Sequence, residues 1–210
     1  MAQKLFTQFY NRYGYLVIRN LLNKQQQKTI INEVKSIENI VNNPGYIYHY
    51  EQDKRKKKVL CEIESITNHN KEFYNLLTKT EIHNVISTIV GHPIKLYKET
   101  IKYNYPGTRG YKARQDIIDN PNSKKQITCM INLCNTHIDN GCLNFAPLTN
   151  KNIILHNNNG FITRQGKLSW IPVPTRLGDI VLFSSYIPYK SYSNVTHKPK
   201  KSIYAKYNII

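Results

Sequence analysis

The sequence contains 210 residues, 40% of them hydrophobic and 20% charged, which is typical of a folded globular chain and excludes an intrinsically disordered one. This length suits a single domain with its own hydrophobic core. No apolar run approaches the roughly 18 residues that a membrane-spanning helix needs, and the first residues lack the apolar stretch of a signal peptide. We therefore expect an intracellular, cytoplasmic protein without a membrane partner.

The formal net charge of +17 favours polyanionic partners such as nucleic acid. The densest basic cluster is the stretch 54–58, Lys-Arg-Lys-Lys-Lys, which we predict to be a solvated loop. The chain is also rich in Lys, Asn, Ile and Tyr, a bias that an AT-rich genome imposes on all of its proteins. Because no nucleic-acid recognition motif accompanies the charge, a basic nucleic-acid-binding module is kept only as an alternative.

The first part of the chain is predicted to be mainly helical. Periodic apolar residues and a β-branched run predict four elements: helices at residues 6–13, 23–41 and 71–90, and a strand at Tyr15–Ile18. Asn23 and Gln26 have the spacing of a capping box at the start of the second helix. Gly91 is a typical residue to end the third helix. Residues 1–93 are therefore predicted to form a mainly helical layer.

From residue 94 onward, short alternating segments separated by turn residues predict antiparallel strands. The predicted strands are residues 94–105, 126–133, 142–145, 168–172, 180–183 and 202–208. Helices packed against many short antiparallel strands predict an α+β fold, a jelly-roll (double-stranded β-helix) with an N-terminal helical layer. The sequence shows no internal repeat and no linker, which favours one domain over residues 1–210, with residues 94–210 forming the jelly-roll part.

Three short segments carry a resemblance to a known family. They are residues 111–116 (Tyr-Lys-Ala-Arg-Gln-Asp), 187–194 (Ile-Pro-Tyr-Lys-Ser-Tyr-Ser-Asn) and 199–204 (Pro-Lys-Lys-Ser-Ile-Tyr). In order and spacing they resemble the phytanoyl-CoA dioxygenase-like (PhyH) family of iron(II)/2-oxoglutarate oxygenases. Residues 9–18 and the Asp-Asn-Gly turn at 139–141 also resemble that family. The resemblance implies the jelly-roll fold, Fe(II) and 2-oxoglutarate as cofactors, and hydroxylation of a small metabolite.

The family holds its iron with a His-x-Asp pair and a distal histidine, and the matching positions here are Arg114, Asp116 and Tyr189. Only Asp116 is a metal ligand of the expected kind. Arg114 has no lone pair to donate and its charge repels a divalent cation, so we expect it to pair with Asp116 in the place of the metal. Tyr189 is expected to hydrogen-bond inside the barrel, and it ligates iron as a phenolate only if the protein is an active oxygenase.

The family arginine that binds the far carboxylate of 2-oxoglutarate matches Lys200 in this sequence. A lysine supplies a fixed cation for that carboxylate, although without the two-pronged geometry of arginine. Tyr103 and Ser202 are candidates to add hydroxyl contacts. The alternative is a lysine whose stem packs along the barrel and whose ammonium group reaches solvent. His137 and His197 are expected to be surface histidines rather than replacement ligands.

These observations support three hypotheses. The first is a pseudoenzyme that has lost Fe(II) binding and retains a pocket for a small anion, such as the dicarboxylate 2-oxoglutarate. The second is an active Fe(II)/2-oxoglutarate oxygenase in which Asp116, Tyr189 and one further histidine hold the metal. The third is the basic nucleic-acid-binding module. The sequence carries no signal for an oligomeric state.

Overall fold

The computed structural model describes residues 2–40, 43–53, 55–119, 126–147, 153–155, 157–166 and 168–210. The described residues of the first half of the chain form four α-helices: α1 (Ala2–Tyr13), α2 (Lys24–Asn39), α3 (Lys71–Thr78) and α4 (Glu81–Val90). The strands are β1 (Tyr15–Ile18), β2 (Ile47–Gln52), β3 (Lys58–Glu64), β4 (Ile94–Asn104), β5 (Gln126–Asn132), β6 (Leu143–Phe145), β7 (Asn157–Asn158), β8 (Phe161–Ile162), β9 (Ile171–Val173), β10 (Ile180–Ser184), β11 (Tyr189–Ser191) and β12 (Lys200–Ile209). Short 3-10 helices cover Asp116–Asp119 and Ile138–Asn140.

The strands build two main antiparallel sheets that face each other. The larger sheet has seven strands in the order β1-β10-β5-β12-β4-β3-β2, and the smaller has the order β11-β6-β9, with β7 and β8 pairing separately. Neighbouring residues on a strand point to opposite faces, so the large sheet serves two cores. One core packs the sheet against the helices, and the other fills the space between the two sheets with aromatic and aliphatic side chains. This is the predicted jelly-roll with its helical layer.

The capping signal at the second helix is confirmed. Gln26 N donates to Asn23 Oδ1 at 2.9 Å, and Asn23 N donates to Gln26 Oε1 at 2.8 Å. The described part of this helix ends at Asn39. Val41, to which the sequence extends the helix, lies outside the described residues.

The prediction of one continuous helix over residues 71–90 is wrong. Two helices form, and Thr80 caps the second by accepting a hydrogen bond from Ile82 N through its hydroxyl at 3.3 Å. The apolar stripe appears unbroken in the sequence because both helices bury residues in the same core, among them Phe73 and Ile86. Periodicity reports which face is buried and does not report a short break between two helices that share that face.

The N-terminal layer also contains strands that the sequence analysis missed. Strands β2 and β3 form an antiparallel hairpin at the edge of the large sheet. Their residues are mostly half-buried or exposed, so they lack a clean alternation of apolar and polar side chains. The pairing of β3 with β4 places them there, and that is a contact between distant segments.

The basic stretch connects this hairpin. Arg55, Lys56 and Lys57 are exposed, and Lys58 begins β3, whereas Lys54 lies outside the described residues. Asp53 orders the loop, because its Oδ1 accepts hydrogen bonds from the backbone N–H groups of Arg55 and Lys57. The described residues agree with a solvated loop, and binding of nucleic acid stays a prediction. Within the described ranges, no helix has the length and apolar character to cross a membrane.

Asp179 ties the end of β1 to the start of β10. Its carboxylate is 1% exposed, and its Oδ2 lies 2.6 Å from Arg19 Nη1. The backbone N–H of Asn20 donates to Oδ1 at 2.9 Å, and that of Arg176 donates to Oδ2 at 2.8 Å. Burial by itself raises the pKa of Asp179, but these three donors outweigh it and the pKa lies below its usual value.

We expect Asp179→Ala to lower the free energy of unfolding by about 3 kcal/mol at pH 7, because hydrogen bonds to a charged acceptor contribute about 1.5–3 kcal/mol each. A lowered pKa means that this contribution is complete above the unfolded value near 3.8 and is lost as the pH falls through the folded value. Urea unfolding at pH 7 and at pH 2.5 should show the difference between wild type and variant shrinking in acid. Asp139→Ala is the control, since that side chain is 72% exposed. An equal deficit at both pH values would contradict the assignment.

Candidate functional site

Arg114 and Tyr189, which the resemblance matches to the family histidines, lie opposite each other in the structure. Arg114 N donates to Tyr189 O at 3.0 Å, and Tyr189 N donates to Arg114 O at 3.0 Å, which forms an isolated antiparallel bridge. Asp116 follows two residues later at the start of a 3-10 helix. The fold therefore gathers the three positions that the resemblance identifies, although Tyr189 lies 73 residues after Asp116 along the chain.

Asp116 is a buried carboxylate, 2% exposed, and both of its oxygens accept hydrogen bonds from side chains of this protein. Oδ2 accepts from Thr128 Oγ1 at 2.8 Å, and Oδ1 accepts from the Tyr189 hydroxyl at 2.7 Å. Lys206 Nζ lies 3.1 Å from Oδ1, and Arg114 Nε lies 4.0 Å from the same atom. The expected pair of Arg114 and Asp116 is thus at the outer limit of ion-pair distance, and Lys206 is the closer cation.

The charge of Asp116 is stabilised by two cations and by two hydroxyl donors. Burial raises the pKa of Asp116, but Lys206, the Tyr189 hydrogen bond and Arg114 outweigh burial, and the pKa lies below its usual value. Burial, and then the charge of Asp116, hold the pKa of Tyr189 well above its usual value. Tyr189 is therefore a neutral phenol whose hydroxyl donates a hydrogen bond to the carboxylate, and it is not a phenolate.

The residues at these positions do not fit Fe(II). A facial iron site needs three ligand side chains with free lone pairs and open positions for other ligands. Here one position is a cation, one is a neutral phenol, and the carboxylate faces two cations. Among the residues that the structure describes, no group of three His, Cys, Asp or Glu side chains could hold a metal ion. His137 and His197 are exposed, as predicted, and His156 lies outside the described residues.

Lys206 is the member of this cluster that sequence reasoning missed. It lies on β12 in phase with Lys200, Ser202 and Tyr204, and alternate residues of a strand share one face. Tyr204 belongs to the core between the two sheets, so this face points into the barrel. The alternation of β12 could therefore have predicted an inward lysine at position 206. Only the folded chain shows that Asp116 is the group it meets.

Lys200 is buried, with 4% of its surface exposed, so the alternative in which its ammonium group reaches solvent is wrong. Its Nζ donates a hydrogen bond to the Gly141 carbonyl. Burial lowers the pKa of Lys200 to about 8, because the low-dielectric interior disfavours the charged form. Across the ladder from Lys200 lies Asn104, whose Nδ2 is buried and has no hydrogen-bond partner within the described ranges. A cation and a free amide donor therefore lie side by side.

Gly141 makes this arrangement possible through its missing side chain. Its φ of +75° is left-handed, and a Cβ there would lie 2.5 Å from the Tyr192 carbonyl and 2.9 Å from Asn104 Nδ2. The backbone at the predicted Asp-Asn-Gly turn can thus approach β4 closely. The Gly141 carbonyl consequently reaches the Lys200 ammonium group.

Ser202 and Tyr103 are both predicted to add hydroxyl contacts beside Lys200, and the structure places them on opposite faces of the large sheet. Ser202 faces the barrel interior with Lys200, and its hydroxyl donates to Asn132 Oδ1 at 2.7 Å. The prediction for Tyr103 is wrong, because Tyr103 pairs in register with Lys201 and packs in the core beneath the helices. A side chain on that face cannot reach a ligand held inside the barrel, since successive residues of β4 point to opposite sides.

Gln115 lies between Arg114 and Asp116, points away from both of their side chains, and holds a neighbouring loop. Its Nε2 donates to the carbonyls of Tyr186 and, at 2.9 Å, of Ile153, and its Oε1 accepts from Leu155 N at 2.9 Å. These bonds fix residues 153–155 against the segment that carries Arg114. The side chain is fully buried, which makes it a positioning element for the loop.

Comparison with known proteins gives consistent results over nearly the whole chain. A family model described as Phytanoyl-CoA dioxygenase (PhyH) matches residues 10–202. The methylphosphonate hydroxylase of Gimesia maris (strain ATCC 29201 / DSM 8797 / 534-30) is 33% identical over 205 residues, covering 96% of this chain and 78% of that protein. The 2-aminoethylphosphonate dioxygenase of the uncultured bacterium HF130_AEPn_1 is 26% identical over 202 residues, covering 93% of this chain and 77% of that protein.

Solved structures confirm the architecture. The non-heme alpha ketoglutarate dependent epimerase SnoN from nogalamycin biosynthesis has a TM-score of 0.84 at 17% sequence identity, with coverage of 99% of this chain and 83% of that one. At this level of identity the likeness establishes the fold. The predicted jelly-roll is confirmed.

Proposed function

This chain belongs to the phytanoyl-CoA dioxygenase family, and we propose that it is a member that no longer binds Fe(II) and instead binds a small anion in its barrel. The observation that carries the proposal is that side chains of this protein already bind both carboxylate oxygens of Asp116. The one carboxylate at the family metal positions is compensated by Lys206 and bonded by Tyr189 and Thr128. A divalent cation would have to displace a lysine ammonium group and enter beside a guanidinium, and both repel it.

The anion is proposed to bind next to Lys200. An ammonium group that is buried without a carboxylate partner is unfavourable, and no carboxylate of the described residues lies within ion-pair distance of it. Asn104 Nδ2 offers a second donor at the same place. An entering carboxylate or phosphonate would satisfy both groups, so a dicarboxylate such as 2-oxoglutarate is the first ligand class to test.

A working oxygenase with an altered site is the second candidate, and the names of the relatives favour it. Methylphosphonate hydroxylase and 2-aminoethylphosphonate dioxygenase are both names of enzymes. For this chain to share such an activity, Asp116 would have to exchange its lysine and tyrosine partners for a metal. The two candidates differ in whether metal binding accompanies anion binding, which makes them separable in one experiment.

The test is thermal unfolding of metal-stripped protein with 2-oxoglutarate, with methylphosphonate, with Mn(II), and with Mn(II) plus each anion. We expect an anion to raise the unfolding midpoint by roughly 5–10 °C at a hundredfold excess over its dissociation constant, with no further rise from Mn(II). The shift should disappear in Lys200→Met. Lys201→Met is the matched control, because Lys201 lies on the opposite face and pairs with Glu38 at 2.7 Å.

Two outcomes would count against the proposal. Cooperative stabilisation by Mn(II) together with an anion, or release of succinate from 2-oxoglutarate in the presence of Fe(II), would establish the oxygenase instead. An anion-induced shift that survives in Lys200→Met would move the anion site elsewhere.

A further inference from the structure

A surface groove with one apolar and one cationic end runs along the open edges of both sheets, outside the barrel. Strand β1 is the last strand of the large sheet, and β9 is the last strand of the small one. A cleft of about 480 Å³ lies between them and helix α1. A second cleft of about 540 Å³ adjoins it, and the two share Arg19 and Pro174. Both volumes fall in the range of roughly 300–1,000 Å³ that small-molecule sites occupy.

The first cleft, which we call the apolar end, exposes more hydrophobic surface than an isolated side chain would. Leu5 is 60% exposed and Phe9 is 40% exposed, and both line it from α1. The ring of Tyr15 lies at 5.8 Å from that of Phe9 and stacks on Phe145 at 4.9 Å, which fixes the floor against the inner core. A contiguous apolar strip of this kind indicates a binding surface.

The opposite wall of the apolar end does not suit an added β-strand. Pro172 and Pro174 line it, and neither has a backbone N–H to offer an incoming chain. Pro172 lies opposite Asn144 in the pairing of β9 with β6. A proline is tolerated in such an edge strand where its missing N–H group would face away from the sheet. The β9 wall therefore offers no backbone donor at these two positions, which suits a ligand without backbone hydrogen bonds, such as an alkyl chain.

The second cleft, the cationic end, offers donors to an anion. Arg19 and Arg176 line it together with His137 and the amide side chains of Asn20 and Asn135. The carboxylate in this cleft, Asp179, is 1% exposed and engaged by three donors, whereas the Arg19 side chain remains 54% exposed. The guanidinium groups that line this end, those of Arg19 and Arg176, are therefore more exposed than its carboxylate.

We propose that this groove binds a monomeric anionic amphiphile, with its alkyl chain along α1 and its phosphate or carboxylate head beside Arg19 and Arg176. The occupant follows from complementarity at both ends. A purely apolar ligand would make no use of the arginines at the cationic end, and an inorganic anion would leave the apolar strip exposed. The site is distinct from the barrel interior, so the proposal does not depend on the state of Asp116 or Lys200.

The test is calorimetric titration of the full chain with hexyl, octyl and decyl phosphate below their micelle concentrations. Affinity should rise about fourfold for each added methylene, because each buried methylene contributes a constant increment of transfer free energy. Inorganic phosphate and decanol should each bind at least roughly a hundredfold more weakly than decyl phosphate, since each satisfies only one end. Decanoate in place of decyl phosphate distinguishes a carboxylate head from a phosphate head.

Variants locate the site. Leu5→Asp at the apolar end and Arg176→Glu at the cationic end should each weaken decyl phosphate binding at least roughly tenfold. Ile47→Asp and Lys95→Glu introduce the same acidic residues at exposed positions elsewhere, and they should leave the affinity for decyl phosphate unchanged. The four variants alter exposed side chains, and an unchanged unfolding midpoint verifies that each is folded.

Several results would overturn the proposal. These are absence of a chain-length dependence, equal binding of decanol or of inorganic phosphate, and equal losses in the control variants. Binding to anionic vesicles without binding of monomeric decyl phosphate would assign the surface to a membrane instead. A dimer in solution that Leu5→Asp dissociates would assign the apolar end to a second copy of the chain.

Discussion

Lys206→Met is expected to destabilise the protein by about 3 kcal/mol, as measured by urea unfolding at pH 7. Removal of one partner of a buried ion pair leaves the other charge uncompensated in a low-dielectric interior, which costs about 3–5 kcal/mol in known cases. Asp116 is 2% exposed and Lys206 is 16% exposed, so water cannot replace the lost ammonium group effectively. The remaining bonds from Tyr189 and Thr128, together with the Arg114 guanidinium group at 4.0 Å, hold the result near the lower limit of that range.

A double-mutant cycle with Asp116→Asn separates the pair from its surroundings. The loss of stability in the double variant should be smaller than the sum of the losses in the two single variants, because neither charge is then left alone. Lys98→Met is the matched control, since Lys98 is 44% exposed and pairs with Glu64 at 2.9 Å, and a surface pair contributes at most about 1 kcal/mol. Equal losses in Lys206→Met and Lys98→Met would mean that Arg114, and not Lys206, compensates Asp116.

The largest change in binding is expected from rebuilding the metal site. Arg114→His, Tyr189→His and Lys206→Met together restore two imidazoles beside Asp116 and remove the cation at 3.1 Å. We expect this triple variant to bind Mn(II) more tightly than wild type by roughly two orders of magnitude or more, because ligands and their surroundings both set metal affinity. Electron paramagnetic resonance of free Mn(II) measures the affinity directly.

The double variant Arg114→His, Tyr189→His is the informative control. It carries both imidazoles but keeps Lys206 against Asp116, so its affinity for Mn(II) should stay close to that of wild type. Adding Asp116→Asn to the triple variant should remove the gain, which verifies that the metal sits at this carboxylate. If the triple variant gains nothing over the double one, Lys206 is not what excludes the metal.

Local patterns in the sequence were sufficient wherever neighbouring residues decide the structure. Asn23 and Gln26 lie three residues apart and cap their helix as predicted, and the Asp-Asn-Gly turn ends with a left-handed Gly141. The strands of the jelly-roll follow from short β-prone segments separated by turn residues, although β5 is buried along its whole length and β10 along most of it. The break at Thr80 escaped detection, since two helices that bury the same stripe give one continuous pattern.

By itself the sequence determined the fold class, and its resemblance to a family identified the three positions that meet at the site. It also established that Arg114 cannot bind a metal, since that follows from the chemistry of a guanidinium alone. The tertiary structure decided which cation compensates Asp116, that Lys200 is buried beside Asn104, and that Tyr103 faces the helices. These depend on the register between strands far apart in sequence, and a shift of one residue reverses the face of every side chain. No local pattern encodes that register, so the partners of a buried charge were visible only in the folded chain.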